Sequence, residues 1–343
     1  MTDCWVVTDG RAGIENQALG LAEAVSRLMP LRITPKRIVV KSPWRAAPRS
    51  VWGDPFRRLS TEGALLRPPF PDLWIACGRL STPFTRVVKL RDARVFTVQI
   101  QSPRINGADF DLIIPPDHDN LKGANVFPII GSPNRVTANA IARDGAILAE
   151  SLASLPHPRA AILIGGPNRA FEMNDKSIMR IARIARALAR KGAGVMVTGS
   201  RRTPGEALKT VGRALARFPH FLWDGSAAAG LENPYFGMLG LADHILVTED
   251  SVNMAAEAAM SGKPVHVIAL HRRTFAFGGD KFDRFHASLR ERGAAREFEG
   301  RMRRWRYPPF DETARAADEV VRRFTAAEKA PGAAGQAVLS PAP

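Results

Sequence analysis

At 343 residues the chain exceeds the usual size of one hydrophobic core, so two domains are the expectation. Hydrophobic residues at 45% and charged ones at 24% exclude a disordered or collagen-like chain. The formal charge of +16, mostly from arginine, suits anionic partners such as sugar phosphates, nucleic acid or an acidic membrane surface. No helix-turn-helix, zinc knuckle or ribonucleoprotein motif is present, and two tyrosines offer little base stacking, so nucleic acid is not an expected partner. Cys4 and Cys77 lie in apolar runs and read as core thiols rather than a disulfide framework or a zinc site.

Along the chain, short β-rich runs at 4–8, 33–41, 73–76, 95–99 and 112–114 alternate with helical stretches at 14–29 and 83–90. Such alternation predicts a parallel sheet covered by helices. Residues 42–71, rich in Pro, Arg and Trp, read as a long irregular insertion. A helix at 138–152 bridges to a second alternating series, with strands at 160–164, 194–198, 221–223, 244–248 and 265–269. Helices at 176–190, 204–217, 252–260, 281–290 and 313–325 accompany them. The expected architecture is α/β, two Rossmann-like domains facing a cleft: 1–155, 156–328, and a disordered tail over 329–343. The apolar run before Thr8 is too short for a signal peptide and no segment approaches a membrane span. A cytoplasmic location is expected, with peripheral contact at the inner membrane face left open.

The strongest motif is the stretch 247–265, VTEDSVNMAAEAAMSGKPV, where a strand runs into a capped helix and on into another strand. Asp250 or Ser251 is the natural N-cap, and the backbone N–H groups and positive dipole at such a start form a phosphate site. Asn253 and Glu257 share one stripe of that helix, and Glu257 in the spacing E-x4-G-x-P can accept hydrogen bonds from ribose hydroxyls. The plainer alternative is a solvated surface glutamate. Gly165 and Gly166, followed by Asn168, allow a ligand close to the backbone or simply make a tight turn. Thr198, Ser200 and Arg201 end another strand, so three strand-end loops of one sheet converge where α/β sheets bind ligands.

In the first half, Thr8-Asp-Gly-Arg-Ala-Gly-Ile-Glu-Asn-Gln17 follows a strand and opens a helix. It lacks both the dinucleotide fingerprint and a Walker loop, which disfavours a redox enzyme or an ATPase. Asp9 and Glu15 are the candidate general bases, with a turn-forming aspartate and a first-turn glutamate as the ordinary alternatives. Arg11, Asn16 and Gln17 crowd the same loop, while Arg79, Ser81 and Gln101 occupy two further strand-end loops. Arg79 and Ser81 come just before Pro83, where a helix start can hold an anion. Asp117, His118 and Asp119 are adjacent and point different ways, so no metal is expected.

These motifs, with Gly78-Arg79, Gln101-Ser-Pro-Arg104, Pro115-Pro-Asp-His-Asp119, Gly165-Gly-Pro-Asn168, Thr198-Gly-Ser-Arg-Arg202, Asn233-Pro-Tyr235 and Thr248-Glu-Asp-Ser-Val-Asn-Met254, resemble the "elongated mitochondria" family named for plant mitochondrial fission. The likeness runs from about Trp5 to Phe324 and implies a GT-B-like architecture, with the donor nucleotide on the C-terminal half and the acceptor on the N-terminal half. Carried over, Glu257 would hold ribose, Ser251 and Asn253 the diphosphate, and Gly165 and Gly166 the donor's edge. Glu249 and Glu257 match the E-x7-E of retaining enzymes in spacing alone. The function so implied is metal-independent glycosyl transfer from a nucleotide sugar to a cell-envelope or lipid-linked acceptor, with no separate cofactor; the alternative is a non-enzymatic peripheral membrane scaffold. Arginines between 284 and 306, near Trp305 and Tyr307, suit an anionic lipid surface or a solvated basic face.

Overall fold

The computed structural model describes residues 1–225, 233–273 and 279–329, and the tail expected beyond Lys329 lies outside them. The described residues form two compact units, one within Met1–Arg135 together with 311–329, the other within Val136–Phe310. Residues 155–159, expected at the boundary, are instead fastened to the second unit. Leu155 is buried, and the Arg159 guanidinium donates to the carbonyls of Leu152 and Leu155, both at 3.1 Å.

The first unit contains β1 (Thr2–Thr8), α1 (Ala12–Ser26), β2 (Leu31–Arg37), β3 (Leu73–Cys77), α2 (Thr82–Arg91), β4 (Phe96–Ile100) and β5 (Leu112–Ile114). All five strands are parallel, in the order β2-β1-β3-β4-β5. Strands β3, β4 and β5 are buried at every position, which explains the unbroken apolar runs of β3 and β5, while β4 carries the buried Thr97 and Gln99. Ala18, Leu21, Ala22 and Val25 of α1 cover one face together with Ala316, Val320 and Phe324 of α9 (Glu312–Lys329), so the last described helix completes the core of the first unit. On the other face lies the segment 42–71. It is not a loose loop: Trp52 is fully buried and packs with Leu66, Val7, Trp74 and Phe84 where a helix would otherwise sit. The order reverses between β1 and β3, so the loops that follow these two strands mark the switch point of this sheet.

The second unit contains α3 (Ala138–Ser151), β6 (Arg159–Ile164), β7 (Phe171–Glu172), α4 (Asp175–Arg190), β8 (Gly194–Gly199), α5 (Gly205–Leu215), β9 (His220–Trp223), α6 (Tyr235–Leu241), β10 (His244–Thr248), α7 (Val252–Ala259), β11 (Val265–Ile268), β12 (His271–Arg272), α8 (Gly279–Glu291) and β13 (Ala295–Glu297). Its six-stranded parallel sheet runs β13-β11-β10-β6-β8-β9, the doubly wound dinucleotide-fold order, with the switch point between β6 and β10. Helix α4 shows why the pattern was readable: Ile178, Ile181, Ala185 and Leu188 face the core while Arg180, Arg183, Arg186 and Arg190 stay exposed. Short elements escaped the sequence reading. Helix α6 has seven residues, β13 has three, and β7 and β12 pair antiparallel over two residues each.

The two aromatics of the basic C-terminal stretch turn inwards. Trp305 donates its indole N–H to the Gly293 carbonyl at 2.8 Å and meets the His266 ring edge-on. Tyr307 is buried, with its hydroxyl on the carbonyls of Ala259 and Lys263. Both aromatics are therefore committed to the fold rather than offered to lipid, although Arg301, Arg303, Arg304 and Arg306 are exposed. Among the described residues, no helix is long and apolar enough to cross a membrane.

Candidate functional site

In the second unit the loops after β6, β8 and β10 do come together. Gly165 donates its N–H to the Thr248 hydroxyl at 2.7 Å, Gly166 donates to Asp250 Oδ2 at 2.7 Å, and Thr248 donates to Asp250 Oδ1 at 2.7 Å. Asp250 is buried, and that burial raises its carboxyl pKa, opposed by the bonds from Thr248 and Gly166. The paired glycines are explained by this packing. A Cβ on Gly165 would lie 2.1 Å from Asp250 Oδ2, and one on Gly166 would lie 2.3 Å from the Arg202 carbonyl oxygen. The close approach expected of a ligand at Gly165 and Gly166 is made by the protein's own Asp250 and Arg202, and both N–H groups are occupied.

The neighbouring polar residues also build the floor. Asn168 Oδ1 accepts from the N–H groups of Ala170 and Phe171 at 2.8 and 3.0 Å, an Asx turn. Thr198 is buried. The Ser200 N–H donates to the Ile164 carbonyl and to the Thr203 hydroxyl, so Ser200 shapes its own turn and Thr203, which the sequence did not single out, ties it to β6. Arg201 is exposed, and Arg202 lies 3.8 Å from Asp250.

With Asp250 turned back onto Gly166, the N-cap of α7 is Ser251, and its hydroxyl makes no capping bond. The first-turn N–H groups of an α-helix have no intrahelical acceptor, so this start turns backbone donors and a positive dipole end towards the β6–β10 switch point. Asn253 is exposed in that first turn. One turn further on, the partly buried Glu257 accepts the Tyr235 hydroxyl at 2.7 Å. Burial raises the Glu257 pKa from 4.5 to about 7, and the bond from Tyr235 limits the rise. Tyr235 stood in a recognised motif without a role; nothing in a separation of 22 residues signals this pairing. Glu249, in contrast, is fully engaged: Oε1 takes the Arg272 guanidinium at 2.7 Å and Oε2 the Leu270 N–H at 3.1 Å.

This geometry sets a pH dependence. A carboxyl whose pKa is higher folded than unfolded binds its proton more tightly in the folded state, so stability falls as pH rises from about 4.5 through about 7. Glu257→Gln should therefore unfold at a higher temperature than the wild type at pH 8, by at most about 3 kcal/mol, with the gain shrinking towards pH 5. Scanning calorimetry at the two pH values checks this, and an equal difference at both would show that Glu257 is not held neutral by burial.

In the first unit the switch point carries arginines. Asp9 uses both carboxylate oxygens on Arg11, accepting from its N–H at 3.2 Å and its Nε at 2.9 Å, and this bond raises the Arg11 pKa. Glu15 is buried, with Oε1 on Arg37 at 2.7 Å. Gln17 is buried and accepts from Gln101 at 2.9 Å and from the Cys77 thiol at 3.3 Å. Ser81 is buried and donates to the carbonyls of Cys77 and Gly78, so it holds the turn rather than facing outwards. Arg11, Asn16 and Arg79 are exposed. Among the described residues, no three His, Cys, Asp or Glu side chains converge as a metal ion would require.

Two Rossmann-like units, the second with an open helix start at its switch point, define a protein of the GT-B fold class. The fold agrees with that of the UDP-GlcNAc 2-epimerase from Methanocaldococcus jannaschii, at a TM-score of 0.52 and 11% identity over 94% of this chain and 99% of that one. The chain belongs to the Mitochondrial fission ELM1 family, whose model matches residues 12–324. It is 29% identical to Mitochondrial fission protein ELM1 of Arabidopsis thaliana over 285 residues, 75% of this chain, and spans 64% of that relative's length. It is also 25% identical to an uncharacterized protein of Rickettsia prowazekii, covering 92% of this chain and 96% of that one.

Proposed function

We propose that the second unit binds a nucleoside diphosphate sugar and that the chain is a GT-B-type glycosyltransferase that needs no metal. The observation that carries this is the α7 start, left without a side-chain cap because Asp250 is occupied by Gly166. There the diphosphate would meet backbone N–H groups, the Ser251 hydroxyl and Asn253, with Arg201 and Arg202 adding positive charge. Glu257, held by Tyr235 through one oxygen, would take the ribose with the other. Gly165, Gly166, Asn168, Thr198, Ser200 and Asp250 would shape the floor beneath it. The name of the structurally similar epimerase, which acts on UDP-GlcNAc, supports a uridine nucleotide.

In this reading the first unit takes the acceptor, a cell-envelope or lipid-linked molecule, through Arg11, Asn16 and Arg79, with Ser81, Gln17 and Gln101 supporting those loops. Glu15 is favoured over Asp9 as the base, because Arg37 takes only one of its oxygens whereas Arg11 takes both of Asp9's. The rival reading, a peripheral scaffold at a membrane, loses support from the inward commitment of Trp305 and Tyr307.

A thermal-shift panel of UDP, ADP, GDP and CMP sugars tests the proposal. A ligand at one hundred times its dissociation constant should add about 2.7 kcal/mol, an upward shift of several degrees. No shift with any nucleotide would remove the donor site.

A further inference from the structure

A cavity of about 520 Å³ opens in the first unit between the packed segment 42–71, the start of α2 and the loop after β4. Four arginines line it: Arg49, Arg79, Arg86 and Arg104. Arg86 is ion-paired to Asp109 at 2.7 Å, but among the described residues no carboxylate pairs with Arg49, Arg79 or Arg104. Arg49 has its Nε buried without an acceptor, and its pKa is lowered by burial and then by the charge of Arg79. Arg79, Arg86 and Arg104 are exposed and Arg49 also lies over the Trp52 ring at 5.6 Å, so the cavity gathers positive charge on which an anion can be held.

The surrounding backbone adds to the same field. Helix α2 has no acidic residue in its first turn, and the Ser81 hydroxyl is spent on the Cys77 and Gly78 carbonyls instead of capping it. In the loop after β4, Gln101 and Arg104 take φ of 71° and 57°, left-handed values that cost a non-glycine residue energy and that here hold Arg104 against the cavity. Apart from Thr82 the remaining wall is apolar, including Val87 and the exposed Ile105. A bare phosphate would use the arginines and leave that wall wet.

We propose that this cavity binds a phosphate or diphosphate ester of an apolar alcohol, the arginines holding the anion and the Val87–Ile105 side taking the chain next to it. The site is built from first-unit residues alone and stands whether or not the second unit binds a nucleotide. Arg49 and Arg86 were not picked out in the sequence and Arg104 stood in a motif without a role of its own; the three lie on separate stretches that only the fold brings together.

Calorimetric titration of the full chain with farnesyl diphosphate, inorganic pyrophosphate and farnesol tests it. The farnesyl ester should bind at least about tenfold more tightly than pyrophosphate, and farnesol not measurably. Arg79→Gln, at an exposed position, and Arg49→Gln should each weaken the ester by about tenfold or more, while Glu257→Ala leaves it unchanged. Equal affinity for pyrophosphate and the ester would overturn the amphiphile in favour of a soluble phosphate. No binding, or binding insensitive to both arginine variants, would overturn the site. Failure of the nucleotide panel with success here would remove the donor reading and leave this one.

Discussion

Gly166→Ala should destabilise the second unit more than any other single methyl addition near the site. Its new Cβ would sit 2.3 Å from the Arg202 carbonyl oxygen and 2.4 Å from its carbonyl carbon, backbone atoms that cannot rotate away. The same displacement would stretch the Gly166 N–H bond to buried Asp250, now 2.7 Å. Overpacking of this kind costs about 3 kcal/mol, and in a unit of this size that lowers the melting temperature by about 6–12 °C. Gly205→Ala, where nothing lies within 4 Å of the added carbon, is the control and should be neutral or slightly stabilising. Calorimetry that ranks the two alike would mean that the close approach at Gly166 is not fixed.

Asp250→Ala should have a comparable effect by a different route. It removes the acceptor from the Gly166 N–H and the Thr248 hydroxyl, both buried, and each stranded donor costs about 1–3 kcal/mol. Asp250→Asn keeps one acceptor oxygen, and the Thr248 hydroxyl can turn to accept from the new amide, so less than half of that loss is expected. Urea unfolding of the two variants gives the comparison directly. Equal losses would indicate that the charge of Asp250, and not its two accepted hydrogen bonds, holds the loops together.

The parts of this molecule that a sequence can reveal are those governed by local pattern. The parallel strands β3, β4, β10 and β11 announce themselves as short runs rich in apolar and β-branched residues, and α4 by its arginine stripe, because one segment carries the whole signal. The strand-to-helix junction at 247–254 was legible for the same reason. What the pattern could not convey was which partner fills each space. Gly165 and Gly166 suggested room for a ligand, yet Asp250 and Arg202 occupy it from 84 and 36 residues away. Asp250 and Ser251 were equal candidates for the N-cap until the Gly166 N–H claimed one of them. Trp305 and Tyr307 stood beside a basic stretch suited to lipid or to solvent, and composition cannot show that the Gly293, Ala259 and Lys263 carbonyls lie within their reach.

The proposed donor site holds a diphosphate at the start of α7 and the adjoining ribose on Glu257. Calorimetric titration of UDP at pH 8 into the wild type and into Glu257→Ala tests it most directly. UDP should bind saturably, the substitution should weaken it by about 1–3 kcal/mol, roughly fivefold to more than a hundredfold, and wild-type binding should also weaken as pH falls below about 7 and the carboxylate is protonated. UDP affinity that is the same in both proteins, or no binding at millimolar UDP, would contradict it.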